Sequence, residues 1–248
     1  MNLRNLTAAT LAVGSLTLIG GAAHAQLTAL GAGGVVSPVN IVDGPFANST
    51  FVTQRTSSFT ASTAQGTITG NILSSVYSST SGPFGTVATP TLDFFYQLVV
   101  TTATNGQGNP AGIDSVSLAS FAPGGTVVAI QVGQDTNGGV VGQTAQAASI
   151  SSASRNGGGG GVTISFSGAN GQAGGTTSSI FAVRTASTGF SDTGSAGILG
   201  NNGIGTSTTA TLLAPGSSVT AAPEPGSIAL LGVGFAGMVG MIARRKKA

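Results

Sequence analysis

Between residues 26 and 222 there is no histidine, cysteine, lysine, glutamate or tryptophan. That removes the base of a Ser-His-Asp triad, both partners of a Cys-His pair and the lysine of a Ser-Lys dyad. Five aspartates remain: Asp43, Asp93, Asp114, Asp135 and Asp192. An aspartate-based hydrolase would have to hold two of them together across a scissile bond. Asp93 falls in a strand-like pattern, while Asp43, Asp135 and Asp192 stand in turn-like contexts, where the carboxylate commonly caps backbone N–H groups. Asp135-Thr136-Asn137-Gly138 has the opening of a calcium loop but no closing glutamate, so a hairpin turn is expected there. Gly157–Gly161 is followed by Val162 and not by the lysine of a phosphate-binding loop; it is expected to be a flexible hairpin loop. The expectation is a protein that is not an enzyme and has no catalytic residue, cofactor or metal.

Recognition chemistry is concentrated at the two ends. Arg4 precedes an apolar, small-residue stretch from Ala8 to Ala22, and Ala23-His24-Ala25 fits the cleavage pattern of a secretory signal peptide. The other end reads Pro223-Glu224-Pro225, an uncharged stretch Ser227–Ala243, then Arg244-Arg245-Lys246-Lys247. The prolines fix their own φ and push the preceding residues out of the helical region, so this tripeptide is extended. A helix over 227–243 at about 1.5 Å per residue reaches roughly 25 Å, the short limit of a membrane span. Arg244, Arg245, Lys246 and Lys247 act as the membrane stop and hold that side in the cytoplasm, which puts the body outside. Gly232, Ala236 and Gly240 recur every four residues and form a small-residue ridge on that helix.

Extended tripeptide, short span and basic stop, together with a signal peptide, resemble the PEP-CTERM sorting tail of Gram-negative bacteria. The resemblance covers about 26 residues. It implies that Pro223, Glu224 and Pro225 are the sorting motif and that a membrane-embedded, cysteine protease-like exosortase is the processing partner. It further implies passage through the secretion machinery and an association with exopolysaccharide and biofilm.

The body that carries these ends is nearly free of charge. Its three arginines (Arg55, Arg155 and Arg184) against five aspartates leave a net charge of −2, so nucleic acid has no electrostatic basis as a partner. No long helical period occurs. Leu92, Phe94, Tyr96, Leu98 and Val100 alternate with Asp93, Phe95, Gln97 and Val99, which predicts a strand with one strongly buried face. Further strands are predicted over Thr67–Tyr77, Val116–Phe121, Thr126–Val132, Val162–Phe166, Ile180–Arg184 and Thr209–Leu213. Turn signals punctuate them, among them Gly82-Pro83, Asn105-Gly106 and Asn137-Gly138-Gly139. The fold class is therefore all-β, an antiparallel sandwich or jelly-roll-like ectodomain. The expected partition is a signal peptide at 1–25, the ectodomain at 26–213, a linker at 214–222 and the sorting tail at 223–248. The function expected is that of a non-catalytic surface or matrix protein; the alternative is a polysaccharide-binding module.

Overall fold

The computed structural model describes residues 27–41, 49–82, 85–105, 111–122, 128–138, 140–147, 149–168, 171–201 and 210–216. Fifteen strands follow in chain order: β1 Thr28–Ala29, β2 Val35–Val36, β3 Val39–Ile41, β4 Ser49–Thr63, β5 Gly66–Gly82, β6 Gly85–Asn105, β7 Gly112–Ala119, β8 Ile130–Asp135, β9 Ile150–Arg155, β10 Gly161–Phe166, β11 Gln172–Ala173, β12 Thr176–Thr177, β13 Ile180–Thr185, β14 Phe190–Gly200 and β15 Ala210–Pro215. Among the described residues there is no helix. The signal peptide, Asp43, Pro223-Glu224-Pro225, the span and the basic stop lie outside them.

The strands form two sheets. One runs β1-β8-β13-β6-β5-β4, with β12 on β6 and β3 on β8; the other runs β15-β14-β7-β10-β9-β2, with β11 on β7. Every pairing is antiparallel except β3 with β8. The sheets share one apolar core, in which Phe94, Tyr96, Phe181 and Val183 of the first meet Val116, Leu118, Ile164 and Ile198 of the second. The buried Tyr96 hydroxyl donates to the Leu213 carbonyl at 2.8 Å, so the ring fills the core and its polar end finds an acceptor on β15. The all-β, two-layer architecture is the expected one, with Phe94 and Tyr96 on its inner face.

Long hairpins dominate the first sheet. Strands β4, β5 and β6 pair over almost their whole length, a span for which the Ser/Thr-rich sequence gives only a weak signal on β5 and none on β4. Gly70 explains one local necessity: a Cβ there would meet the Val99 carbonyl oxygen at 2.2 Å and the Phe59 ring at 2.7 Å. The absent side chain lets the Phe59 ring lie over the neighbouring strand and close the core at the sheet's edge.

Four sequence expectations need correction. Strand β6 is not buried on one face only: Asp93, Phe95 and Gln97 are as buried as Phe94 and Tyr96. Asp135-Thr136-Asn137-Gly138 is a turn but no hairpin; the chain after it crosses the outer face of the first sheet before entering β9 in the other. Asp192 lies within β14, not in a turn. The Gly157–Gly161 segment does close the β9–β10 hairpin, with Gly159 at φ 69°. Strand β15 continues through Ala214 and Pro215, past the point where composition marks a linker.

Truncating Phe94 to alanine should lower unfolding stability by about 3–5 kcal/mol, the usual range for a fully buried Phe. Chemical denaturation of the secreted body measures it, and a loss below about 1 kcal/mol would place the ring outside the core.

Candidate functional site

None of the sorting-tail residues, nor Ala23 and Ala25, lies within the described residues. No described helix is long and apolar enough to cross a membrane, and the 227–243 stretch is outside the residues that statement covers.

The four described aspartates are not brought together. Asp93 on β6 stands opposite Arg184 of β13, while Asp135 on β8 stands opposite Ile180. Strand β13 and four residues along it separate them, about 13 Å lengthwise alone, beyond the carboxylate spacings of glycoside hydrolysis. Asp114 and Asp192 are exposed on β7 and β14 of the other sheet. Among the described residues no three His, Cys, Asp or Glu side chains group as a metal site.

What the fold does build is a polar lining on the outer face of the first sheet, under residues 140–144. Val140 drops into a small apolar cluster with Leu27, Tyr77, Phe95, Ile180 and Ala182. Side-chain amides then hold the strap in place. Gln97 accepts from the Thr144 N–H at 2.9 Å and donates to the Thr144 carbonyl at 2.7 Å, as a neighbouring strand would. The Gln143 amide donates to the Phe95 carbonyl at 3.0 Å; Ser75 Oγ donates to the Val141 carbonyl at 3.1 Å, and the Val141 N–H donates to Tyr77 Oη at 2.9 Å. Gly142, at φ 75°, passes Gln54 so closely that a Cβ would lie 2.4 Å from its Oε1. These residues were not legible as a site. Their one signal was a glutamine in the alternation of β6.

Beside the strap, Tyr77 stacks edge-on with Phe95 at 5.3 Å and with Phe51 at 5.6 Å. Phe51 ends this row at the surface, 41% exposed. Asp93 is fully buried in the next part of the same face; Arg184 Nε donates to its Oδ1 at 3.3 Å and Ser49 Oγ to its Oδ2 at 3.3 Å. Burial pushes this carboxyl up from 3.8 to about 7, against the opposing pull of the Arg184 charge and of the Arg184, Ser49 and Ser79 hydrogen bonds. Asp135 is raised as well, by burial, although the Asn137 and Gly138 N–H groups oppose it.

Arg155 shows a different solution. Its buried guanidinium donates to four carbonyls: Gly159 at 2.8 Å, Val128 at 2.8 Å, Phe121 at 3.2 Å and Leu30 at 3.3 Å. Desolvation lowers its pKa. One side chain thereby ties the N-terminal segment, the β7–β8 connection and the β9–β10 hairpin, a clasp with no sequence signature beyond a lone arginine.

A raised carboxyl pKa means that the folded protein retains a proton the unfolded chain releases above about 4. The contribution is therefore full at acid pH, declines as pH rises from about 4 to about 7 and is gone above that. The thermal midpoint of the body should fall across this window, and Asp93→Asn should flatten the fall. A midpoint that climbs over the same range would contradict the buried, proton-holding Asp93.

Comparison with curated proteins and with solved structures finds no match. Comparison with family models does: residues 221–247 match the PEP-CTERM protein-sorting motif. The chain thus carries a PEP-CTERM sorting signal, which implies an exported protein anchored through this segment before processing, with exosortase as its processing partner.

Proposed function

We propose that the protein is a non-catalytic cell-surface or extracellular-matrix component, sorted and processed through its Pro223-Glu224-Pro225 motif and associated with exopolysaccharide and biofilm. The observation that carries this reading is the match of residues 221–247 to the sorting motif. The body adds support, since it offers no histidine, cysteine, lysine or glutamate for acid–base or nucleophilic work. Two prolines in three residues favour an extended backbone, which would lower the ordering cost of entering an active site. Glu224 is the one acid near the span and presents a charge to a basic pocket.

A second reading, a polysaccharide-binding module, is favoured by Phe51. An exposed ring beside Ser49 is a platform on which a sugar face can stack. Phe51→Ala should then abolish retardation of the body in gels containing the host's own exopolysaccharide while leaving its melting temperature in place. Unchanged retardation, or none in the parent protein, removes the second reading and leaves the first.

Changing Pro223, Glu224 and Pro225 to alanine in a host with exosortase should leave export intact and trap a full-length, membrane-held form. Mass spectrometry of the surface and medium fractions checks it, and an unaltered mature C-terminus would reduce the motif to a spacer. Replacing Arg244, Arg245, Lys246 and Lys247 with serine should weaken membrane retention, because cations resist translocation and set the stop. Retention equal to the parent's would assign the anchor elsewhere.

A further inference from the structure

An asparagine followed by glycine can react within its own chain. The glycine nitrogen attacks the asparagine side-chain amide carbon, and the missing Cβ leaves that approach open. The body holds five such pairs, beginning at Asn105, Asn137, Asn156, Asn170 and Asn202. Two of them, Asn137-Gly138 and Asn156-Gly157, lie wholly within the described residues, and the fold treats them in opposite ways.

Asn137-Gly138 is closed. The Asp135 carboxyl accepts from the Asn137 N–H at 2.7 Å and also from the Gly138 N–H, so the nitrogen that would attack is already engaged. Gly138 is buried at φ 79°, and a Cβ there would lie 3.0 Å from the Ala145 nitrogen. Asn156-Gly157 is open. Both residues are exposed in the β9–β10 hairpin loop, and a Cβ on Gly157 would meet nothing within 4 Å. Among the described residues nothing accepts from the Gly157 N–H. The Asn156 side chain, in contrast, is held, because its Oδ1 accepts from the Gly161 N–H at 3.1 Å. Negative charge develops on that oxygen when the amide carbon is attacked, so the Gly161 N–H acts as a one-armed oxyanion hole.

We propose that Asn156-Gly157 is a self-modification site, at which the chain deamidates to aspartate and isoaspartate. Gly157 loses its amide proton to solvent and its nitrogen bonds to Asn156 Cγ. The tetrahedral carbon then expels the side-chain nitrogen as ammonia and leaves a cyclic succinimide. Water opens that ring at either carbonyl: one opening gives an aspartate at 156, the other an isoaspartate whose main chain runs through the former side chain. Both add a negative charge to a body of net charge −2. The isoaspartate also lengthens the backbone inside a tight turn. The Asn156 carbonyl accepts from the Gly33 N–H at 3.1 Å and the Gly159 N–H at 2.9 Å, and the Gly159 carbonyl accepts from Arg155 Nε at 2.8 Å. Modification therefore slackens the hairpin end of the Arg155 clasp.

The test uses the full-length protein exported by its host, aged under mildly alkaline conditions in heavy-oxygen water, which labels each new carboxyl. Peptide mass spectrometry after unfolding and digestion should find label at 156 accumulating several-fold faster than at 137. Gly157→Ala, for which the fold has room, should slow labelling at 156 several-fold and leave 137 unchanged. Asp135→Ala should free the Gly138 N–H and speed labelling at 137 several-fold without altering 156. In denaturant the rates at 156 and 137 should converge. Ageing should lower the thermal midpoint of the parent more than that of Gly157→Ala, and equal losses would remove the link to the clasp. If Asp135→Ala fails to accumulate, Gly157→Ala and the denaturant comparison carry the test. Labelling at 156 no faster than at 137 in the folded protein, a rate indifferent to Gly157→Ala, or a difference that persists in denaturant would overturn the proposal.

Discussion

Burial of β6 on both faces is the constraint on which the rest of this structure depends. A strand covered on one side alternates, and its polar positions need only water. Here Asp93, Phe95 and Gln97 are sealed as fully as Phe94, Tyr96 and Leu98, so every polar atom on the outer side needs a protein partner. The second sheet supplies the inner cover and residues 140–144 the outer one. Because the strap is irregular backbone, its N–H and C=O groups face the same demand. Gln97, Ser75 and Tyr77 meet it from the sheet below, and Gln143 of the strap donates down to the Phe95 carbonyl. The amides thus do for the strap what a neighbouring strand would do.

Charge is handled with the same economy. The buried Arg184–Asp93 pair is surrounded by hydroxyls, and desolvation raises the acid in spite of its cation. Such a pair specifies register between β6 and β13 more than it adds stability, because taking both groups out of water costs about what their attraction returns. Arg155 dispenses with a counter-ion: four carbonyl dipoles satisfy it, each from a segment that lacks regular pairing at that point. A lysine could not reach four diverging acceptors from one point charge. The arginine holds connections that a disulfide would secure in many exported proteins, and this chain has no cysteine to make one.

These solutions mark where the sequence was legible. The β6 alternation, the β-branched run at Ile180–Arg184 and the Val162–Phe166 pattern announced strands because apolar side chains at period two have few other uses. The tail was legible because order alone distinguishes it: prolines, span, then cations. Strand β4 was not, since Ser, Thr and Gln on an exposed sheet face carry no contrast against loop composition. Nor was the strap. Val140 and Gln143 look like any turn residues until Phe95 and Tyr77 are found beneath them. The doubled burial of β6 had one trace, Phe95 at a position the alternation assigned to the polar side.

The same lack of contrast bears on what the surface is for. Soluble domains commonly hold apart through interspersed charge, and this body has almost none. Hydroxyl pairs such as Ser117 with Thr163 cover its sheets instead. Hydroxyls keep a face hydrated, yet they neither repel a like face nor fix a charged partner. A protein released into a crowded envelope with such a coat meets other copies, and uncharged polymers, without an electrostatic barrier. Tethering through residues 221–247 would raise the local concentration further until processing. On the function proposed above, sorting signal and coat would act at successive stages, the first directing export and anchoring and the second setting how the processed body meets its surroundings.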